Sequence, residues 1–295
     1  MKALTLLMLS IAAMNTWAAE NSGESCQDKL RAGEYEQAAL AAERVIQSNS
    51  QNRDAQLCLG RAKGMAGDHA AAVAALKASE KYSDNPVARM QSLTLLGHEH
   101  KRVREYDQAR AAYQQSLDLA VSQKNKYFQR ANLIAIGETR EQGNELDAAL
   151  EVYQQAMKLA ANDNERADCH AHLASAYHTM KNHEQAVVHQ LKAAVMEERS
   201  GDLDHYAQAH LDLGRYYADA TMFNDAERVL NKLLEVVKSA EDVYWQAATL
   251  HRLGQVKIAR GSKEEGAAQL RNAAELARKI GATELVSDIE SGMKM

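Results

Sequence analysis

The chain has 295 residues, 46% of them hydrophobic, 25% charged and only 5% aromatic, with one proline and 15 glycines. A single proline is hard to reconcile with a sandwich, barrel or α/β fold, whose many turns normally use it. Alanine, leucine, glutamine, glutamate, lysine and arginine dominate instead, the residues that lose least on entering a helix. The formal charge of −5 comes from 35 Lys and Arg against 40 Asp and Glu, and the basic residues are scattered singly. A phosphate backbone needs a concentrated positive face, so nucleic acid is not an expected partner.

The N-terminus reads Met1-Lys2, then an apolar run from Ala3 to about Ala13, then Met14-Asn15-Thr16-Trp17-Ala18-Ala19. The apolar core is shorter than the roughly 20 residues a bilayer span needs. With one basic residue before it, and small side chains three and one before a cut after Ala18, residues 1–18 read as a secretory signal peptide. The product is then an exported, mildly acidic protein without a membrane span, expected in a bacterial periplasm. Three cysteines follow the cut: Cys26, Cys58 and Cys169. An oxidising compartment permits a disulfide, and an odd count leaves one thiol over.

From there the chain repeats itself. Leu59-Gly60, Leu96-Gly97, Ile136-Gly137, Leu173-Ala174, Leu213-Gly214 and Leu253-Gly254 mark six copies, and twelve residues after each small residue stands another: Ala72, Ala109, Ala149, Ala186, Ala226 and Gly266. A weaker first copy runs from Cys26 to Ala38. Gly33, Gly67, Arg104, Asn144, Lys181, Thr221 and Gly261 occupy the tip of a turn between the paired small positions. Segments such as 208–217 and 224–234 carry apolar residues at three- and four-residue spacing, so each copy is an antiparallel helical hairpin. A small residue where two helices cross lets them approach closely, and a bulky residue fills the gap: Leu76, Tyr113, Tyr153, Gln190, Leu230 and Leu270. One hairpin cannot bury its apolar face alone, so the copies must stack. After the seventh, Ala282, Leu285, Val286, Ile289 and Met293 form one apolar stripe, a capping helix over 282–295.

This pattern resembles the tetratricopeptide repeat family over roughly residues 20 to 280. The family's tryptophan near the start of the first helix is replaced here by Gln56, Leu93, Leu133, His170, His210 and Leu250, and its inter-repeat proline is nearly absent, Pro86 alone coming close. Successive small positions are 34, 37, 40, 37, 40 and 40 residues apart, so the resemblance is to members with repeats of 37–40 residues and longer helices. It implies an all-α fold, a right-handed α-solenoid of about seven antiparallel hairpins over 19–281. The repeats lie near 19–52, 53–86, 90–123, 130–163, 167–200, 207–240 and 247–280. In that register Cys26 and Cys58 lie at neighbouring heights on the first helices of adjacent hairpins, and a disulfide between them is expected to staple the first hairpin to the second.

No catalytic signature appears: no Gly-x-Ser-x-Gly, no phosphate-cradling glycine loop, no His-Glu-x-x-His and no paired-cysteine metal motif. His98 and His100 are two apart on a helix and point to different faces. Cys169 and His172 have a two-ligand spacing, but a tetrahedral site needs more. No cofactor, metal or enzymatic activity is expected.

The family resemblance places function on the concave face, lined by the first helix of each hairpin. The residue after each small position, and those three or four further on, point into it: Arg61; His98, Lys101 and Arg102; Glu138, Glu141 and Gln142; Ser175, His178 and Thr179; Arg215 and Asp219; and Gln255. The groove runs from basic to acidic to mixed, which suits an extended or helical peptide oriented by charge. A carboxylate clamp would need lysine and asparagine where Leu57, Arg61, Thr94 and His98 stand, so that ligand class is not expected. The reading is a non-enzymatic envelope scaffold binding a protein or peptide segment. The alternative is a small-ligand, glycan-binding or glycan-cleaving solenoid, for which Glu138 and Glu141 are the nearest carboxylate pair. The partner and the oligomeric state are not legible.

Overall fold

The computed structural model describes residues 24–293, all-helical and without strands among those residues. The predicted signal peptide lies outside the described residues. The chain divides into two compact units, one up to Glu145 and the other from Leu146. The N-terminal unit holds α1 (Glu24–Arg31), α2 (Tyr35–Ser48), α3 (Arg53–Met65), α4 (His69–Lys81), α5 (Pro86–Arg102), α6 (Tyr106–Ser122) and α7 (Lys126–Gln142). The C-terminal unit holds α8 (Leu146–Met157), α9 (Asp163–Thr179), α10 (His183–Ser200), α11 (Leu203–Asp219), α12 (Phe223–Ser239), α13 (Val243–Arg260), α14 (Lys263–Lys279) and α15 (Thr283–Met293).

Local chemistry sets the helix starts. Asn52, Asp68, Asn85 and Asn125 each accept the backbone N–H three residues on, as do Asn162, Asn182, Asp202 and Asp242 in the C-terminal unit. Each thereby satisfies one of the donors a helix start leaves unpaired. All seven tip residues have positive φ, from 60° at Thr221 to 105° at Gly261. Glycine reaches that region freely, and asparagine tolerates it. Thr221 is β-branched and is held there against its own preference. The residues that lengthen the repeats are mostly helical: α6 and α7 are separated only by residues 123–125, and α10 and α11 only by residues 201–202.

Within each unit the hairpins close on the small residues. A side-chain carbon added at Gly214 would lie 2.6 Å from Leu230 Cγ, and one at Gly97 would enter the Tyr113 ring. Gly60 with Leu76 and Gly254 with Leu270 repeat the arrangement, while Ala174, fully buried, takes the glycine's place in α9. Cys26 of α1 and Cys58 of α3 form a disulfide with their Cα atoms 6.4 Å apart, set among Ala38, Ala39, Ala42 and Ala62. Cys169 is fully buried.

The two cores differ. In the N-terminal unit a polar ladder runs through the interior: Ser79 Oγ meets Ser92 Oγ at 2.9 Å, and Thr94 Oγ1 meets Ser116 Oγ at 3.0 Å. Asn132 Nδ2 donates to Ser116 Oγ at 2.9 Å and to Phe128 O at 2.7 Å. In the C-terminal unit α11 and α12 build a continuous apolar core from Leu211, Leu213, Tyr216, Tyr217, Leu230 and Leu233. At its end α15 packs Ile289, fully buried, beside Leu285 and Val286. Met293, the last described residue of α15, keeps 39% of its surface exposed.

Candidate functional site

The first helices of the hairpins are α1, α3, α5 and α7 in one unit, and α9, α11 and α13 in the other. In α3, α5, α11 and α13 the small residue faces its own hairpin partner, so the next residue in sequence, about 100° further round the helix, faces away from that partner. This turns Arg61, His98 and Glu138 to one face of the N-terminal unit, and Ser175, Arg215 and Gln255 to one face of the C-terminal unit.

In the N-terminal unit an open cleft of ≈ 760 Å³ is lined by His98, Lys101, Arg102, Arg104, Tyr106 and Gln142. Four of the sequence-predicted residues therefore meet in one place. Arg61 belongs to a neighbouring recess of ≈ 320 Å³ that shares His98 and Arg102 with the cleft and adds Leu30, Met65 and Leu95. Arg61 donates to Gln27 at 3.0 Å. The cleft is less basic than its sequence suggested. Lys101 Nζ sits 2.5 Å from Glu138 Oε2, and Arg102 Nε lies 3.5 Å from Glu99, a buried carboxylate that His69 also contacts. His98 Nδ1 pairs with Tyr113 Oη at 2.8 Å, and burial, helped by nearby Lys101, lowers its pKa. Burial, then the Glu138 charge, raises the Tyr113 pKa. Glu141 is half-buried and lies outside the cleft lining.

In the C-terminal unit His178 stands between the Tyr216 ring, at 5.0 Å, and His183, at 5.5 Å. Asp219 Oδ2 is 3.7 Å from His178 Nδ1. Burial lowers the His178 pKa, with Asp219 opposing and Arg215 assisting. Arg215 lies over the Tyr216 ring at 4.6 Å and donates to Asp212 at 3.1 Å. His178, Arg215 and Asp219 are thus one cluster. Gln255 belongs to a second group, accepting from Arg252 at 2.7 Å and meeting His251 Nε2 at 3.0 Å. Ser175 accepts through its backbone carbonyl from Thr179 Oγ1 at 3.0 Å.

Sequence reasoning missed Glu99, His69, Arg104 and Tyr106. Glu99 is two residues past Gly97, a position that faces inward toward Gly64 of α3, and only the missing side chain there makes room for its carboxylate. His98 and His100 diverge, the first to Tyr113 and the second to Glu105 at 2.6 Å. Among the described residues no three His, Cys, Asp or Glu side chains gather as a ligand set for a metal. No described helix is long and apolar enough to cross a membrane.

Tetratricopeptide-repeat models match residues 133–167 and, in a second form, residues 91–120 and 167–194. The segments 91–120 and 167–194 fall on the helix pairs α5–α6 and α9–α10. The chain is a tetratricopeptide-repeat protein. No curated protein matches it in sequence. In structure the repeat protein is similar to the apo form of RapI, with a TM-score of 0.64 at 14% identity, over 92% of this chain and 85% of that one. It is also similar to BtubC from P. vanneervenii, with a TM-score of 0.59 at 15% identity over 74% and 93% of the two chains. A Rap protein complexed with competence and sporulation factor gives 0.54 at 12% identity over 94% and 96%. At these identities the likeness is one of fold. Tetratricopeptide repeats are a protein-interaction architecture.

Proposed function

We propose that this protein is a non-enzymatic scaffold of the bacterial cell envelope, exported to the periplasm, that holds a peptide or protein segment on the first-helix face of its hairpins. The observation that carries the reading is the cleft of ≈ 760 Å³ in the N-terminal unit, where His98, Lys101, Arg102 and Gln142 converge from two successive first helices. Its wall is polar, open and built on rigid helices, which suits a chain segment held by side-chain and backbone hydrogen bonds. Lys101 is locked to Glu138 and Arg102 to buried Glu99, so the cleft presents ordered donors that need little reorganisation on binding. His98, whose pKa burial lowers, adds a ring nitrogen beside them. Arg104 and Tyr106, beyond the Lys101–Arg102 pair, extend the surface past the residues the repeat register alone selects.

The test is affinity capture from periplasmic extract with the full chain and with the Lys101→Glu/Arg102→Glu double variant, read by quantitative mass spectrometry. The expected result is one or a few partners depleted at least tenfold on the variant. An identical partner list with both proteins, in samples with matching circular dichroism, would overturn the assignment to this face. The export step has its own check: N-terminal sequencing of protein from the native host should begin at Ala19.

A further inference from the structure

The recess of ≈ 320 Å³ beside the N-terminal cleft differs from it in chemistry. The cleft has a polar wall, whereas the recess has Leu30 of α1, Met65 of α3 and Leu95 of α5 in its lining. Met65 keeps 47% of its surface exposed, and Leu30 and Leu95 are half-buried. Apolar surface from three successive first helices is thus gathered in a hollow that a ligand can reach. Its volume lies at the low end of the roughly 300–1,000 Å³ of small-ligand sites. That is room for one large side chain.

Two exposed arginines border the same hollow, and both keep donors to spare. Arg61 Nη1 donates to the Gln27 side-chain oxygen at 3.0 Å, and Arg61 forms no ion pair among the described residues. Arg102 lies against Met65, with Nη1 and Nη2 at 3.8 and 3.9 Å from the thioether sulfur, a weak acceptor. Its Nε alone approaches a carboxylate, Glu99 at 3.5 Å. Arg61 stands one helical turn before Met65 on α3, so the two cations share one apolar wall. Glu99 also lines the recess, but it is 4% exposed and already held by His69 and Arg102. Two arginines against one buried carboxylate leave the rim with positive charge, carried on planar forks that suit a second carboxylate.

We propose that this recess sets the sequence of the segment held on the first-helix face. It takes a large aliphatic or aromatic side chain against Leu30, Met65 and Leu95, and a neighbouring aspartate or glutamate of the same segment pairs with Arg61 and Arg102. The inference rests on the reading given above for that face. The recess shares His98 and Arg102 with the cleft, so a polypeptide lying along the cleft passes its mouth.

The test is isothermal titration of the full chain with two acetylated, amidated peptides, Gly-Ser-Leu-Asp-Ser-Gly and Gly-Ser-Asp-Leu-Ser-Gly, which present the pair in both orders. At least one should bind, and alanine for its leucine or asparagine for its aspartate should each weaken it by at least about fivefold. Arg61→Gln should erase the preference for aspartate over asparagine, and Met65→Glu the preference for leucine over alanine; both replaced side chains are exposed, so both variants should keep the parent's circular dichroism. No binding in either order, equal affinity for the aspartate and asparagine peptides, or an undiminished preference in Arg61→Gln would overturn the proposal. Hexanoate binding as tightly as the better peptide would overturn it too, by assigning the recess to free acids. Partner capture that depends on Lys101 and Arg102, without peptide binding, would sink the recess and leave the scaffold. Peptide binding that depends on Arg61, with an unchanged partner list, would support the recess and sink the cleft.

Discussion

The two units follow one repeat pattern and are held together by different physics. In the N-terminal unit the buried positions include Ser79, Ser92, Ser116, Asn132, Thr139, Glu99 and His100, and the cores around the first hairpins are small, alanine-rich and joined by the Cys26–Cys58 disulfide. In the C-terminal unit Leu213, Leu230, Leu233, Val237 and Leu253 with Tyr206, Tyr216 and Tyr217 form one extended apolar core. A net intramolecular hydrogen bond contributes about 0.5–1.5 kcal/mol, whereas a fully buried leucine contributes roughly 1.5–3 kcal/mol. A stack whose hairpins supply little apolar surface therefore leans on a covalent link and on satisfied polar ladders. A stack rich in leucine and tyrosine does not.

That contrast can be broken or sharpened by substitution. The largest effect should come from Leu230→Ala, which empties a fully buried site against Gly214; urea unfolding should show a loss of about 2–5 kcal/mol, with hydrogen exchange rising first in α11–α13. Removing the disulfide by Cys26→Ser/Cys58→Ser opens a link across a sequence separation of 32 and should cost about 3–4 kcal/mol on the loop-closure model. Its loss of exchange protection should be confined to α1–α3; equal loss in α11–α13 would mean that the units are not energetically separable. Gly97→Ala should cost about 1–3 kcal/mol, because the new methyl meets the buried Tyr113 ring rather than a flexible chain end. Asn132→Leu should cost about 1–3 kcal/mol by removing the Asn132 hydrogen bonds to Ser116, Thr94 and Phe128 from the interior, while Ser116 and Thr94 keep each other and the Met90 carbonyl; an unchanged urea midpoint would show that the ladder is dispensable.

The gentlest difference should appear with pH. Burial lowers the pKa of His170 to about 4, assisted by the His189 charge, and burial also lowers those of His178, His189, His210 and His251. All five lie in the C-terminal unit, against His98 alone in the other. Between the ordinary histidine value near 6.5 and these lowered values the unfolded chain binds more protons than the folded one. Stability therefore rises with pH through that window and is lost as pH falls from about 6.5 toward 4. Exchange protection in α9–α13 should weaken over that range more steeply than in α3–α6; parallel slopes would show that the histidines do not set the difference.

Much of this was readable in one dimension. Twelve-residue pairing of small side chains, a tip between them and a bulky residue four beyond specify a hairpin because each is a local steric demand, and the seven tips and the Gly97–Tyr113 and Gly214–Leu230 contacts follow from it. The outward register of Arg61, His98, Arg215 and Gln255 comes from helical periodicity alone. The charge of the face did not follow. Lys101 meets Glu138 across 37 residues and Arg102 meets a Glu99 buried against Gly64, so a cluster that is basic in sequence is largely compensated in space.

By itself the sequence determined that the chain is helical, where its hairpins turn and which of its residues must be small, because those properties depend on neighbours within about fifteen positions. Only the tertiary structure decided which charge answers which. Glu197 and Glu198 are adjacent in the chain and identical in kind, yet Glu198 takes a hydrogen bond from Lys232 of α12 and Glu197 the longer ion pair with His205 at 3.8 Å. Electrostatic partners are chosen by distance through space, and a linear pattern does not encode that distance.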